Sequence, residues 1–169
     1  MSKRSHKIVV SDTTLIINLI HAGMLCLLGA IPGYFFVVPE EVVEEVTYPD
    51  QAQSLLDALE QGWLASESIT DPREIELYTY FRAFLGKGEA ACLALAEMRG
   101  WLIATDDERK GFPRIVEERI GKGMLINTPG LFVLAIRAGN LSIEKADSAK
   151  AVLEKHRFRM KFKSFREIV

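Results

Sequence analysis

Residues 86–112 read GKGEAACLALAEMRGWLIATDDERKGF, and the order of elements in that run decides the fold. Gly86-Lys87-Gly88 opens a helix that carries a carboxylate, Glu89, in its first turn. Alanine and leucine extend the helix to Gly100, a residue suited to a helix stop. Trp101 to Ala104 is a short apolar strand that runs straight into Thr105-Asp106-Asp107. Helix, strand and acidic loop in this order make half of a parallel α/β unit. In such sheets ligands gather just beyond the carboxyl ends of the strands. Two aspartates at one strand end, with Glu89 on the helix that feeds it, therefore point to a cation site.

Working outward, the same alternation recurs. Lys7 to Val10 is a β-branched run suited to a buried parallel strand, and it stops at Ser11-Asp12. Tyr34 to Val38 and Met124 to Ile126 read as further strands, the latter ending in Asn127-Thr128. Between them lie helical patterns at Leu15–His21, at Glu40–Val46, after Asp50 (Leu55, Leu56 and Leu59 as the core stripe) and after Asp71-Pro72 (Ile75, Tyr78, Phe81 and Leu85). Glu108–Ile120 is helical with an irregular start at Gly111 and Pro113; Pro129 and Ser142 open two more helices. The tail from Arg157 to Lys163 alternates basic and apolar residues, as a strand or an extended arm does. The expected architecture is a three-layer α/β/α sandwich around a central, mostly parallel sheet of about four or five strands. Residues 1–169 read as a single domain, with no linker or repeat.

Composition narrows the function classes. A hydrophobic share of 49% and a charged share of 26% suit a folded soluble protein. A net charge of −2 argues against binding nucleic acid by bulk electrostatics alone. It leaves room for a nuclease whose positive charge arrives with divalent cations. Cys26 and Cys92 both fall in apolar helical patterns and read as buried thiols, and His6, His21 and His156 lack metal-ligand spacing, which disfavours zinc. Lys3, Arg4 and Lys7 precede an apolar stretch, as in a secretory leader, but Asp12, Asn18 and His21 interrupt it. The expectation is a cytoplasmic protein that does not enter the membrane.

If the strands ending at Asp12 and at Asp106-Asp107 are neighbours, their carboxylates converge on one crevice. Carboxylates held together repel, and a divalent cation relieves that cost. Oxygen-only ligands point to Mg²⁺ or Mn²⁺, ions that also engage substrate phosphates. The runs Val9-Val10-Ser11-Asp12-Thr13-Thr14, Val38-Pro39 with Glu44 five residues on, Gly88-Glu89-Ala90 and Ala104-Thr105-Asp106-Asp107 resemble PIN domains along nearly the whole chain. The resemblance implies a metal-dependent endoribonuclease of the kind that includes toxins of prokaryotic toxin–antitoxin pairs. It implies catalytic Asp12, Glu44, Glu89 and Asp107, with Asp12, Glu89, Asp106 and Asp107 holding the metal. Family spacing favours Asp107 over Asp106 as the principal ligand, and Glu89 departs from the aspartate common in toxin-type members. An RNA substrate, a small antitoxin partner and a homodimer are also implied by resemblance.

Each residue also has a plainer reading. Asp12 is a turn or capping residue, Glu89 a first-turn carboxylate favouring the helix dipole, and Asp106-Asp107 a helix start. On a helical wheel with Val42, Val43 and Val46 buried, Glu44 lies nearly opposite the core, so only the resemblance selects it. Thr13 and Thr128 are candidate donors around the site, and Arg109, Lys110 and Arg114 are candidate phosphate contacts or a solvated face. Phe158, Met160 and Phe162 read as packing residues. Two other functions compete: a PIN-like module that binds RNA or protein without cutting, and a Mg²⁺-dependent phosphotransfer enzyme. The latter is disfavoured because Asp12-Thr13-Thr14 lacks a second aspartate.

Overall fold

The computed structural model describes residues 6–169, apart from the side chain of Lys110; Lys3 and Arg4 lie outside it. Among these residues five strands form one all-parallel sheet: β1 (Lys7–Ser11), β2 (Tyr34–Pro39), β3 (Ala65–Glu67), β4 (Leu102–Ala104) and β5 (Leu125–Ile126). Their spatial order is β3-β2-β1-β4-β5. The chain first builds outward from β1 to β3, then returns to lay β4 on the other side of β1. This reversal leaves a crevice at the carboxyl ends of β1 and β4, where a doubly wound sheet collects its ligand.

Burial explains why the strands read as continuous apolar runs. Val9, Val10, Phe36, Val37, Val38 and Ile103 are almost completely enclosed, as expected of parallel strands covered on both faces. Among the described residues eight α-helices supply the cover: α1 (Thr13–His21), α2 (Glu40–Glu45), α3 (Pro49–Glu60), α4 (Pro72–Phe81), α5 (Lys87–Arg99), α6 (Phe112–Ile120), α7 (Thr128–Arg137) and α8 (Ile143–Lys155). One layer is organised on α1, which packs against α3, α7 and α8; the other on α5, which packs against α2, α4 and α6 and against β1, β2 and β4. Every residue of α5 from Gly88 to Ala96 is buried, and its alanines let neighbours approach closely on all sides. The helix ends at Gly100, whose φ of 69° only glycine adopts without strain.

Several local expectations change. Strand β3 has three partly exposed residues and no apolar pattern to announce it. The tail forms no strand: Arg157 takes a left-handed φ of 66°, Met160 and Phe165 are buried, and Phe158 and Phe162 pack on the core. Leu56 and Ile75 are about half exposed, and Ala58 takes the inward position on α3 instead. Cys92 is buried, but Cys26 is exposed. Among the described residues no helix is long and apolar enough to cross a membrane.

Candidate active site

Strand β1 delivers Asp12 to the crevice. Its backbone N–H donates to the Ala104 carbonyl at 2.8 Å, which locks the end of β1 to the end of β4. Asp12 stands at the N-cap position of α1, yet its side chain caps no backbone N–H of the helix. Its carboxylate instead accepts from Thr105 Oγ1 at 3.0 Å and Thr14 Oγ1 at 3.3 Å, and is 2% exposed. Two threonines from different strand ends thus aim one buried carboxylate.

The two aspartates after β4 part company. Asp106 turns towards α1 and α7, where its oxygens accept from Asn18 Nδ2 at 2.8 Å, from the Thr128 backbone N–H at 2.7 Å and from Thr128 Oγ1 at 2.5 Å. Its carboxylate is committed to joining three elements and does not line the pocket of Asp12 and Asp107, where a metal ligand is expected. It borders a groove of about 470 Å³ that Asp107 also lines and that passes Asn127, Leu134 and Phe158. Thr128 is fully buried in the same network and does not line the acidic pocket, where a substrate contact is expected. Asp107 faces Asp12. Its backbone N–H donates to Thr105 Oγ1 at 3.0 Å, and its carboxylate meets Arg109.

Helix α2 brings in a residue that the sequence reading passed over. Glu44 is exposed, whereas Glu45 lines the pocket, accepting from Thr13 Oγ1 and from the Gly88 N–H at 3.0 Å. The correction has a simple cause. Val42 and Val46 are buried and Val43 only partly so, which rotates the inward face and places Glu45 on its flank. The i, i+4 pair Val42–Val46 was the available signal.

Glu89 completes the set from the first turn of α5, reaching back to the Gly86 N–H at 3.2 Å. Asp12, Glu45, Glu89 and Asp107, from four separate segments, line one cavity of about 220 Å³ with Thr13, Thr14 and Arg109. Of the residues expected here, Asp12, Glu89, Asp107, Thr13 and Arg109 come together. Glu44, Asp106 and Thr128 do not, and the side chain of Lys110 lies outside the described residues.

A family model described as a PIN domain matches residues 8–169. The chain belongs to the PIN-domain family. PIN domains are generally nucleases, and the acidic pocket lies at the switch point where their fold gathers ligands. No curated protein matches the chain.

Charge in this PIN domain is held uneasily. Burial pushes the Asp12 carboxyl up to about 6, against the lowering influence of the adjacent Thr13 backbone and the Thr105 hydroxyl; repulsion from Glu45 and Asp107 adds to the rise. Burial also raises Glu89 to about 7, reinforced by its hydrogen bond with Asp107. Asp107 goes the other way, down to about 2, chiefly because Arg109 donates to it. Glu89 and Asp107 titrate as one coupled pair, Glu89 raised and Asp107 lowered. Asp106 is raised by burial despite its donors from Thr128 and Asn18.

These groups suit a hard divalent cation. The donors are all oxygen, and two of the carboxylates, Asp12 and Glu89, have raised proton affinity, a cost that a bound cation would relieve. Gly88 leaves the necessary room. A Cβ there would come within 2.6 Å of Glu45 Oε2, 3.0 Å of Thr13 Oγ1 and 3.1 Å of Asp12 Oδ1, so three oxygens from three elements converge on that one missing atom. Among the described residues no group of three His, Cys, Asp or Glu is arranged to hold a metal ion as it stands. Glu45 is turned to Thr13 and Gly88, and Asp107 to Arg109.

Proposed function

We propose that this PIN domain is a Mg²⁺- or Mn²⁺-dependent endoribonuclease whose centre is the pocket of Asp12, Glu45, Glu89 and Asp107. The observation that carries the reading is the convergence of four carboxylates from separate segments on one cavity at the β1/β4 switch point. Bringing these acids together carries a cost, since Asp107 raises the proton affinity of both Asp12 and Glu89. Bound there, the cation would neutralise the carboxylates, acidify a water and stabilise charge on the leaving oxygen of a phosphodiester.

The chain's own residues have definable parts. Asp12, fixed by Thr105 and Thr14, is the central ligand, and Asp107 is its partner across the crevice. Glu45 and Glu89 hold the flanks, where either can take a proton from the attacking water, given an ordinary hydrogen-bond distance to it. Thr13 orients Glu45 through its hydroxyl. Arg109, at the rim, is the phosphate contact nearest to hand. Membership of the toxin branch, an antitoxin partner and a homodimer belong to this proposal and rest on the sequence resemblance.

The test is cleavage of a labelled single-stranded RNA with added Mg²⁺ or Mn²⁺. Asp12→Asn and Asp107→Asn should lower the rate by about a hundredfold or more while leaving the fold intact. Cleavage that persists in a chelator, or folded variants that cut normally, contradicts the mechanism. A folded wild type that binds RNA but never cuts it favours the non-catalytic module.

A further inference from the structure

The contact between Arg109 and Asp107 has more to it than a surface ion pair. Three donors of Arg109 engage Asp107: its backbone N–H at 2.8 Å and Nε at 3.0 Å on Oδ1, and Nη2 at 2.8 Å on Oδ2. Both carboxylate oxygens are therefore taken, in the parallel fork that only a guanidinium makes. The exposures are lopsided: the Asp107 side chain is 3% accessible and that of Arg109 79%. The acid is an inner wall of the pocket and the guanidinium is a plug laid over it from the solvent side. Among the described residues lining the cavity, Arg109 is the one cation, facing Asp12, Glu45 and Glu89 as well as Asp107.

We propose that Arg109 is the resident cation of the metal-free site, competing with the divalent ion for Asp107. The inference rests on the reading of the acidic pocket as a metal site. A pair with one partner so exposed is held weakly, because water competes for the guanidinium and screens the attraction. A doubly charged ion among four carboxylates gains more than the single charge it displaces. Metal entry and Arg109 release are then one exchange. The released guanidinium stays tethered two residues from Asp107, at the rim where an RNA phosphate arrives, and its fork suits a phosphate as well as a carboxylate. Arg109 thus keeps Asp107 from repelling its neighbours before the metal comes, and is freed for substrate afterwards.

The measurement is a calorimetric titration of Mn²⁺ into the full chain and into Arg109→Gln, Arg109→Lys, Arg114→Gln and Asp12→Asn. Removing the plug should tighten Mn²⁺ binding by about two- to fivefold in Arg109→Gln, the worth of an exposed ion pair. Arg109→Lys should move most of the same way, since an ammonium cannot make two parallel bonds. Arg114→Gln, whose arginine pairs with Glu118 on the exposed face of α6, should leave affinity unchanged. Equal or weaker binding by Arg109→Gln overturns the proposal. So does a wild-type affinity in Arg109→Lys beside a gain in Arg109→Gln, the signature of long-range repulsion without occupancy. Asp12→Asn separates the two levels: if it loses the Mn²⁺ that wild type binds, the metal reading stands whatever Arg109 does. Absence of binding in wild type and both Arg109 variants overturns both.

Discussion

At the scale of single residues, the distinction between Glu44 and Glu45 carries most of the weight. From Val42, an α-helix turning about 100° per residue sets Glu45 about 60° round the axis and Glu44 about 160° round. Adjacent glutamates therefore belong to different worlds, one beside the core and one in water. Glu45 reaches Thr13 and the Gly88 N–H, whereas Glu44 reaches neither. Glu45→Gln should cut the RNA cleavage rate by about a hundredfold, while Glu44→Gln should stay within about twofold of wild type. Parallel rate measurements on the two folded variants check this, and equal losses would return Glu44 to consideration. The other acidic positions were legible because each follows a strand or opens a helix, and sheet topology alone makes such ends converge. Glu45 was not legible because its helix is barely two turns long, too short for three valines to define one face unambiguously.

At the scale of elements, the end of β4 is a junction, and Asp106 is its fastener. It ties the loop after β4 to Asn18 on α1 and to the first residue of α7. Asp106→Ala strands the Thr128 hydroxyl and backbone N–H in a fully buried position. The expected cost is about 2 kcal/mol or more, from donors left without partners away from water. Urea denaturation measures it, and Mn²⁺ affinity of the folded variant should stay close to wild type; a variant that is fully stable but loses Mn²⁺ would make Asp106 a ligand after all. The sequence showed the Asp106-Asp107 pair but not its division of labour, because which aspartate turns inward depends on partners 22 and 88 residues away. The same non-locality hid β3, which is held by pairing with β2 and by the Glu67–Arg99 contact, and made the tail look like a strand. Its alternating apolar residues do face inward, but through irregular backbone packed on the core rather than through a ladder.

At the scale of the whole molecule, the layers exist to bring buried acids together, and the cost of doing so is written in their proton affinities. Burial and mutual repulsion leave Asp12 titrating at about 6 and Glu89 at about 7, well above ordinary carboxylates. Both pKa values are raised, so below them the pocket holds protons and above them it holds charge. Metal and proton compete for the same oxygens, and a divalent ion wins ground as pH rises. Asp107, held down to about 2 by Arg109, is ionised throughout this window and does not set the slope. The most direct test of the account is the rate of single-stranded RNA cleavage at fixed subsaturating Mn²⁺ from about pH 5.5 to about pH 8.5, bracketing the two raised values. The account predicts a rate that climbs through pH 6 to 7 as Asp12 and Glu89 lose their protons, and that vanishes in a chelator at every pH. A rate that is flat across that interval, or one that survives the chelator, would contradict it.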